Sequence, residues 1–286
     1  MQNAERIEFR RIRNFSEVLD DTFAFIRQNF KQLFKSLLFI VGPLALLTTA
    51  AKLFLESAFH FPSPSDFADL GFLFAQVPWW IAYFLAVLVQ STLLYLVVYQ
   101  GMMLYAERGS GGFQLEEIWQ LVKRDFVRLF SVQIGYFIFL ILGVLLLIIP
   151  GLYIFVLLSI ASTIRLFERV SFFATISRSR QLMAGHWWST LGLLIVLYII
   201  CSVLNIVFQG PLFVLTFVDT FTGGDPEGLG THPTLKVVCN IFAALGYFTY
   251  APLVIGCIFQ FFNLLERKEA AGLMDRVDNL AQSDAE

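Results

Sequence analysis

The sequence is poor in charged residues. Asp, Glu, Lys and Arg make up 15% of its 286 residues, against ~25% in soluble globular domains. Hydrophobic residues make up 57%, with 32 Phe among them, and the mean hydropathy is +0.71. A soluble core of this size cannot bury so much apolar surface, which excludes an ordinary water-soluble enzyme. Because hydrophobicity is high and the net charge is only -2, an intrinsically disordered chain is excluded too. The composition predicts a polytopic, all-α integral membrane protein.

Cysteine and histidine are also scarce. The three cysteines all lie in apolar runs, at Cys201, Cys239 and Cys257. They are expected to pack as buried thiols, since a disulfide framework or a metal site needs a different pattern. None of the three histidines lies in a tight cluster with carboxylates, and no H-E-x-x-H pattern occurs. The sequence therefore predicts no catalytic residues, no metal site and no cofactor.

Six apolar runs are long enough to cross a membrane, since a spanning helix needs ~20 mostly apolar residues. They cover residues 36–55, 77–105, 131–149, 151–167, 189–218 and 235–265. Only Pro150-Gly151 separates the third run from the fourth. Because Pro lacks a donor N–H and Gly accepts left-handed dihedrals, we expect a tight reversal there. The alternative is one kinked helix, which would change the number of crossings.

The basic residues are distributed unevenly between the loops. Seven precede the first span, four lie in 106–130, four in 165–188 and three in the C-terminal tail, out of 20 in total. The loops 56–76 and 219–234 contain no Lys or Arg but carry acidic residues. Under the positive-inside rule, both termini and the two basic loops are cytoplasmic. Six transmembrane helices arranged as three hairpins put every basic segment on one side.

Each odd-numbered span follows a segment with the periodicity of an amphipathic helix. In 113–130 apolar residues recur at steps of three and four, with charges mostly on the other face. A shift of 96 residues matches the N-terminal segment to this pattern, and a third segment matches in part at an offset of 61. We predict three cytoplasmic-side amphipathic interfacial helices, each opening a pseudo-repeat of about 15–106, 113–167 or 170–265. These units form one six-span membrane domain, 15–265, between cytoplasmic segments 1–14 and 266–286.

The amphipathic segments carry Lys and Arg beside Phe and Trp. Such helices can lie in the headgroup plane and attract anionic lipid headgroups. The alternative is that they dock on the cytoplasmic ends of the spans. Either arrangement builds an ordered platform on the cytoplasmic side.

The region from the Pro-Gly pair to the fifth span carries a recognisable series of residues: Pro150, Gly151 and Tyr153, then Glu168, Arg178, Ser179, Leu182, Gly185 and Trp187. This series resembles the glycerophosphoryl diester phosphodiesterase-type membrane domain and its uncharacterised bacterial membrane-protein relatives. The opening FSEVLDDTFAFIRQNFKQLF is similar to the start of that family. The resemblance implies a non-catalytic bacterial inner-membrane protein, with a Pro-Gly-aromatic turn opening the fourth span. One departure is that the family often has an Arg early in that span, whereas here Arg165 lies at its end.

A charge cluster is expected at the cytoplasmic end of the fourth span, formed by Arg165, Glu168, Arg178, Ser179 and Arg180. Its functional interpretation is an ion-paired latch for the third interfacial helix, or a contact for a partner protein or lipid headgroup. The alternative is ordinary solvated charge, because exposed ion pairs contribute little to stability. Gly185 and Trp187, which follow, indicate a helix break and an aromatic belt at headgroup level.

Eight amide side chains lie inside apolar runs: Gln90, Gln100, Gln133, Asn205, Gln209, Asn240, Gln260 and Asn263. Amides in hydrocarbon must find partners, so these should face the bundle interior. They either form interhelical hydrogen bonds or line a transport pathway. No Asp, Glu, Lys or Arg occupies the middle of a span, which counts against ion-coupled transport.

Two functions remain compatible with the sequence. The first is a structural or assembly module that docks a membrane or cytoplasmic partner protein on its amphipathic helices. The second is a lipid- or amphiphile-handling carrier that uses a cleft between the repeats. We expect no enzymatic activity and no nucleic-acid partner, and the expected surroundings are the lipid bilayer and its anionic headgroups. A sealed interior favours the module, and a polar or lipid-filled cavity favours the carrier.

Overall fold

The computed structural model describes residues 6–58, 70–146, 148–222 and 233–269. All regular secondary structure in these ranges is helical, which confirms the predicted class. The α-helices are α1 Phe15–Ile40, α2 Gly42–Ala58, α3 Leu70–Arg108, α4 Leu115–Leu146, α5 Ile148–Leu158, α6 Ala161–Phe167, α7 Phe172–Met183, α8 Trp187–Thr222, α9 Pro233–Leu245 and α10 Ala251–Glu269. A 3₁₀ helix, Gly246–Tyr250, connects α9 to α10.

Several of these helices are long and apolar enough to cross a membrane. Within the described residues there are four such stretches: Gln76–Arg108, Pro150–Phe167, Trp187–Phe221 and Pro233–Glu269. The consecutive helices α1 and α2, with a bend between them, make a fifth candidate. Along α8 many large apolar side chains are exposed, among them Phe213 and Phe221. Exposed apolar surface of this extent is typical of a face that lipid covers, so the chain has the character of a membrane protein.

The Pro150-Gly151 pair does not form the link between two helices, and the predicted position of the reversal is wrong. Helix α5 begins at Ile148, so both residues lie in its first turn. Proline is tolerated there because the first N–H groups of a helix have no intrahelical acceptor. Tyr136 of α4 contacts Phe155 of α5 with ring centroids 6.3 Å apart. Together with the packing of Val132 against Leu158, this contact shows that α4 and α5 are antiparallel.

The first two amphipathic segments are not separate helices. Helix α4 runs from Leu115 through the predicted boundary at residue 131 and ends at Leu146. Helix α1 likewise continues beyond residue 36 and ends at Ile40. No Pro interrupts either segment, so nothing in the backbone breaks the helix where amphipathic character gives way to uniformly apolar sequence. Only the third segment forms a helix of its own, α7.

The chain divides into two compact units. Unit 1 comprises Met1–Ser36, Tyr95–Ile199 and Ala251–Glu286. In it α4 packs against α5 and α6, and α7 packs against α6 and α10. Its core is aromatic: the Phe9 ring lies 5.2 Å from that of Phe259 and 5.6 Å from that of Phe262.

Unit 2 comprises Leu37–Leu94 and Ile200–Tyr250. In it α2 packs against α9, and α9 packs against the 3₁₀ helix. Helices α1, α3 and α8 each contribute residues to both units. Neither unit therefore coincides with one predicted sequence repeat. All three cysteines are buried, as their apolar surroundings predicted.

Candidate functional site

Four of the eight predicted amides line one cavity in unit 2. This polar cavity has a volume of about 260 Å³. Its ten polar lining residues are Thr48, Thr49, Lys52, Tyr83, Gln90, Asn205, Gln209, Asn240, Tyr247 and Tyr250. The remaining wall is made of small or apolar side chains, mostly alanines. Such a collection of polar groups is unusual inside helices of this hydrophobicity, because each polar group without a partner in an apolar medium costs free energy.

Each helix around the polar cavity contributes residues at helical spacing. Helix α3 presents Tyr83 and Gln90, seven residues apart, and α8 presents Asn205 and Gln209, four residues apart. Helix α2 contributes Thr48, Thr49 and Lys52, and α9 contributes Asn240 with two alanines. Residues three, four or seven positions apart lie on one face of a helix. Four helices and the 3₁₀ helix thus each turn at least one polar side chain towards the same space.

Hydrogen bonds between elements use part of this polar surface. The Thr48 hydroxyl donates to Oε1 of Gln90 over 2.6 Å, which joins α2 to α3. Nδ2 of Asn205 donates to the carbonyl of Gly246 over 2.8 Å, which joins α8 to the 3₁₀ helix. Nδ2 of Asn240 instead donates to the carbonyl of Lys236 in its own helix, over 2.9 Å. Two amides therefore hold helices together, while Asn240 is satisfied locally.

The remaining amide of the polar cavity, Gln209, is exposed on its wall. Lys52 is the single charged residue among the described residues that line it. The walls thus offer neutral hydrogen-bond donors and acceptors and one ammonium group. This chemistry suits a small polar group, either uncharged or carrying one negative charge.

The predicted charge cluster forms an ion-paired contact between three helices of unit 1. Nε of Arg178 on α7 lies 2.9 and 3.1 Å from the two carboxylate oxygens of Glu168 at the end of α6. Nη2 of Arg178 also donates to the carboxylate of Glu269 on α10. Partial burial lowers the pKa of Arg178, but the hydrogen bonds to Glu269 and Glu168 outweigh it, so that pKa is raised overall. Glu269 was missing from the sequence-based set because it lies 91 residues from Arg178 in the chain.

The other members of the predicted cluster have separate structural roles. The buried Ser179 hydroxyl donates to the carbonyl of Leu157. The guanidinium of Arg165 donates to the carbonyl of Val170 across the turn between α6 and α7. Gly185 has a φ of +85° and follows the end of α7. Arg180 is exposed and does not join the ion pairs.

The aromatic residues of the resemblance motif meet each other. The rings of Tyr153 and Trp187 are stacked with centroids 5.9 Å apart. Nε1 of Trp187 donates to the carbonyl of Tyr153 over 3.4 Å. The start of α8 is therefore held against α5. Tyr153 of the Pro-Gly-aromatic element and Trp187 thus form one local contact.

Gln100 has a charged partner that the sequence did not reveal. Its Nε2 donates to Oδ2 of Asp125 over 2.9 Å, and Asp125 is buried. Arg124 and Arg128 lie 2.9 and 2.8 Å from the same carboxylate. Asp125 lies three positions after Val122 and four before Leu129, both of which are buried. Its place on the buried face of α4 was therefore predictable from the spacing. Gln133, farther along α4, is half-buried.

Gln260 and Asn263 join α10 to α8 and to the N-terminal segment. Nε2 of Gln260 donates to the Thr190 hydroxyl over 2.9 Å. Nδ2 of Asn263 donates to Oε1 of Gln260 over 3.2 Å. Oδ1 of Asn263 accepts from the backbone N–H of Arg13 over 2.9 Å. These two amides are therefore used in the interhelical hydrogen bonds that their apolar surroundings required.

Arg13 is the largest fully buried side chain among the described residues, although it lies in a segment predicted to be cytoplasmic. Its Nε lies 2.6 Å from Oδ2 of Asp21, and its Nη1 donates to the carbonyl of Phe9 over 2.8 Å. The guanidinium carbon is 5.0 Å from the centroid of the Phe259 ring. Burial lowers the pKa of Arg13 although the hydrogen bond to Asp21 opposes it. This side chain fastens the segment before α1 to the core of unit 1.

Helices α1 and α4 carry the same side-chain arrangement at the 96-residue shift. Phe30 and Phe34 are stacked with centroids 5.7 Å apart, and Phe126 and Phe130 with centroids 5.5 Å apart. Four buried positions also coincide: Thr22, Asn29, Leu33 and Ser36 correspond to Ile118, Asp125, Leu129 and Val132. Each helix thus has one inward stripe and one aromatic stripe beside it. The inward stripe carries Asn29 in one helix and Asp125 in the other.

Comparison with known proteins identifies no relative of this chain. No family model matches the sequence, and neither a curated protein nor a solved structure shows significant similarity to it. Within the described residues, no group of three or more His, Cys, Asp and Glu side chains is placed to hold a metal ion.

Proposed function

We propose that this protein is a non-enzymatic carrier of the bacterial inner membrane that binds the polar part of an amphiphile in the polar cavity. The observation that carries the proposal is the convergence of ten polar side chains on one space within apolar helices. Hydroxyl and amide side chains can hydrogen-bond to a ligand as well as to one another, whereas a purely structural bundle would fill the space with apolar side chains.

The dimensions of the polar cavity define the ligand class. Pockets for drug-sized ligands run about 300–1,000 Å³, and this one has about 260 Å³. It therefore accommodates a headgroup-sized polar moiety rather than an entire lipid. Lys52 favours a moiety with negative charge or several acceptor oxygens. The described lining contains no carboxylate, imidazole or thiol, the groups most often used in general acid–base and nucleophilic chemistry, which favours binding over catalysis.

The proposed topology has six spans in three hairpins with both termini in the cytoplasm. The antiparallel pair α4 and α5 supports the middle hairpin. The basic residues that the positive-inside rule assigns to the cytoplasm all belong to unit 1, whereas the other two, Lys52 and Lys236, belong to unit 2. The recurring stripes of α1 and α4 support the internal repeat.

Native mass spectrometry of the gently solubilised protein tests the carrier proposal. We expect a co-purified polar lipid or other amphiphile on the wild type, and its loss in the double variant Lys52→Met/Gln209→Leu. Gln133→Leu removes a half-buried amide of α4 that does not line the polar cavity and serves as the matched control. A wild type without bound amphiphile, or equal occupancy in all three proteins, would contradict the proposal.

A docking module is the second candidate, and the aromatic surface of unit 1 favours it. Phe30 on α1 is 60% exposed and Trp119 on α4 is 44% exposed. Nζ of Lys123 lies 5.3 Å from the centroid of the Trp119 ring. Exposed aromatics beside cations suit a partner protein or the headgroup layer. A stoichiometric partner retained by the wild type and released by Trp119→Ser, with Gln133→Leu as control, would support docking; retention by both variants would count against it.

A further inference from the structure

A second cavity, in unit 1, has a different chemistry from the polar cavity. This basic cavity has a volume of about 210 Å³. Its polar lining residues are Arg13, His186, Ser189, Gln260, Asn263 and Arg267, and the rest of the wall is apolar. None of the described residues that line it is acidic. Asp21, which is outside the lining, is engaged with Arg13 at 2.6 Å.

Arg267 is held in a defined orientation at this cavity. Its Nε donates to Oδ1 of Asn263 over 3.1 Å, and its Nη2 donates to the carbonyl of Arg13 over 2.6 Å. Both acceptors are neutral, so neither bond compensates the positive charge of the guanidinium. Nη1 has no protein partner among the described residues. A guanidinium positioned in this way, with donors remaining, is well suited to bind an oxyanion.

The start of α8 adds positive potential to the same space. His186 directly precedes α8, and its carbonyl accepts hydrogen bonds from Ser189 and Thr190. The first N–H groups of this 36-residue helix have no intrahelical acceptor, and the helix dipole is positive at this end. Burial lowers the pKa of His186, and the charges of Arg267 and Lys268 lower it further. The imidazole thus lies in a positive field that an anion would relieve.

We propose that the basic cavity binds an oxyanion of the phosphate type, either free or as part of a phospholipid headgroup. Arg267 supplies the charge, the His186 imidazole supplies a side-chain donor, and the amides of Gln260 and Asn263 form the wall. The network that orders these amides also fixes Arg13 and the segment before α1. This inference does not depend on the polar cavity of unit 2.

Sulfate is a suitable probe because its charge does not change near neutral pH. The full-length protein in phosphatidylcholine nanodiscs is titrated with sulfate by isothermal titration calorimetry. We expect Arg267→Gln to weaken binding about tenfold, the scale for losing a hydrogen bond to a charged group. Lys268→Gln, which removes the neighbouring cation outside the lining, is the matched control and should change the affinity less than about twofold.

The pH dependence separates a role of His186 from general electrostatics. The charged groups that act on the imidazole are Arg267 and Lys268 on α10. Arg13 lines the same cavity, and its charge is paired with that of Asp21. Anion binding favours protonated His186, so sulfate should bind more tightly at about pH 6 than at about pH 8. In His186→Asn this difference should disappear, and because Asn is favourable before a helix the variant should still fold.

Nanodiscs with added phosphatidylglycerol distinguish the two sources of the anion. If a lipid headgroup occupies the basic cavity, this lipid will weaken sulfate binding to the wild type and will be retained in native mass spectra, but not by Arg267→Gln. If the ligand is a soluble anion, added lipid will leave the sulfate affinity unchanged. The proposal is overturned if the wild type binds neither sulfate nor anionic lipid, or if Arg267→Gln and Lys268→Gln lose affinity equally.

Discussion

At the scale of single residues, Gly246 positions Asn205 on the wall of the polar cavity. Its carbonyl accepts the Asn205 amide over 2.8 Å. A Cβ at this glycine would lie 2.9 Å from Nδ2 of Asn205 and 3.0 Å from Cβ of Phe208. The absent side chain therefore allows the 3₁₀ helix and α8 to approach closely.

Gly246→Ala should destabilise unit 2 by about 1–3 kcal/mol, the usual range for overpacking. The expected observation is a lower thermal unfolding temperature in detergent, together with weaker amphiphile binding. Gly192→Ala is the matched control in α8, since a Cβ placed there would meet only Cε2 of Phe15 at 3.8 Å, an ordinary contact distance. Alanine raises helix propensity by up to ~1 kcal/mol, so the control should be neutral or slightly stabilised. Equal stability of both variants would exclude a tight contact at Gly246.

A second prediction at this scale concerns the buried Arg13. Arg13→Met keeps much of the side-chain volume but leaves Asp21 without the partner that lies 2.6 Å away. Breaking one side of a buried ion pair costs about 3–5 kcal/mol, and the segment before α1 should become susceptible to proteolysis. Arg11→Met is the control, because the Arg11 side chain is 41% exposed and lies farther, 3.5 Å, from the same carboxylate. Protection of the segment in Arg13→Met would show that the aromatic contacts of Phe9 suffice.

At the scale of elements, the contact between α6, α7 and α10 depends on paired charges. Arg178 is 25% exposed and Glu168 18% exposed, so the pair is partly shielded from solvent. Such a pair should contribute more than the ~0–1 kcal/mol typical of surface pairs. The third helix joins through Glu269, which makes the cluster a link between elements distant in sequence.

A double-mutant cycle with Glu168→Gln and Arg178→Gln should give a coupling free energy of about 1 kcal/mol or more. Each single variant should lower the unfolding temperature, and the double variant should lose less than the sum of the two. Arg180→Gln serves as the control on the same helix, because Arg180 is exposed and outside the ion pairs. Additive effects in the cycle would mean that the two charges act independently.

At this scale the sequence predicted which stretches are helical but not all of the points where the helices begin and end. Hydropathy correctly predicted the apolar helices, because it is averaged over a window of many residues and does not depend on any single position. The reversal near Pro150 was misplaced, since proline is compatible both with a turn and with the first turn of a helix. The continuity of α4 was missed because a change in amphipathicity does not by itself break a helix.

At the scale of the whole molecule, the proposed topology makes a direct prediction about labelling. Ser110 lies in the basic segment between α3 and α4 and is exposed. In a variant without the three native cysteines, Ser110→Cys should resist a membrane-impermeant thiol reagent in intact cells and react after permeabilisation. Labelling from outside in intact cells would contradict the assignment of the basic segments to the cytoplasm.

The candidate sites were predictable only in part. The sequence singled out Gln90, Asn205, Gln209 and Asn240 as amides in apolar surroundings, and these four line the polar cavity. It did not single out Lys52 as a cavity residue or Arg13 as a buried one. A lone charge next to a span or in a terminal segment is usually solvated, so its sequence position carries no sign of burial.

The sequence by itself determined the class of the protein, the helical structure of its apolar runs and the unequal distribution of its charge. Each of these properties depends on the residues of a local stretch of sequence. They therefore follow from the composition and from the spacing of apolar residues. Only the tertiary structure decided which polar side chains meet, as in the pairs Gln100–Asp125 and Asn263–Arg13. These contacts depend on how each helix is rotated about its axis and on which helix or segment lies next to it. Packing of side chains from distant parts of the chain sets both.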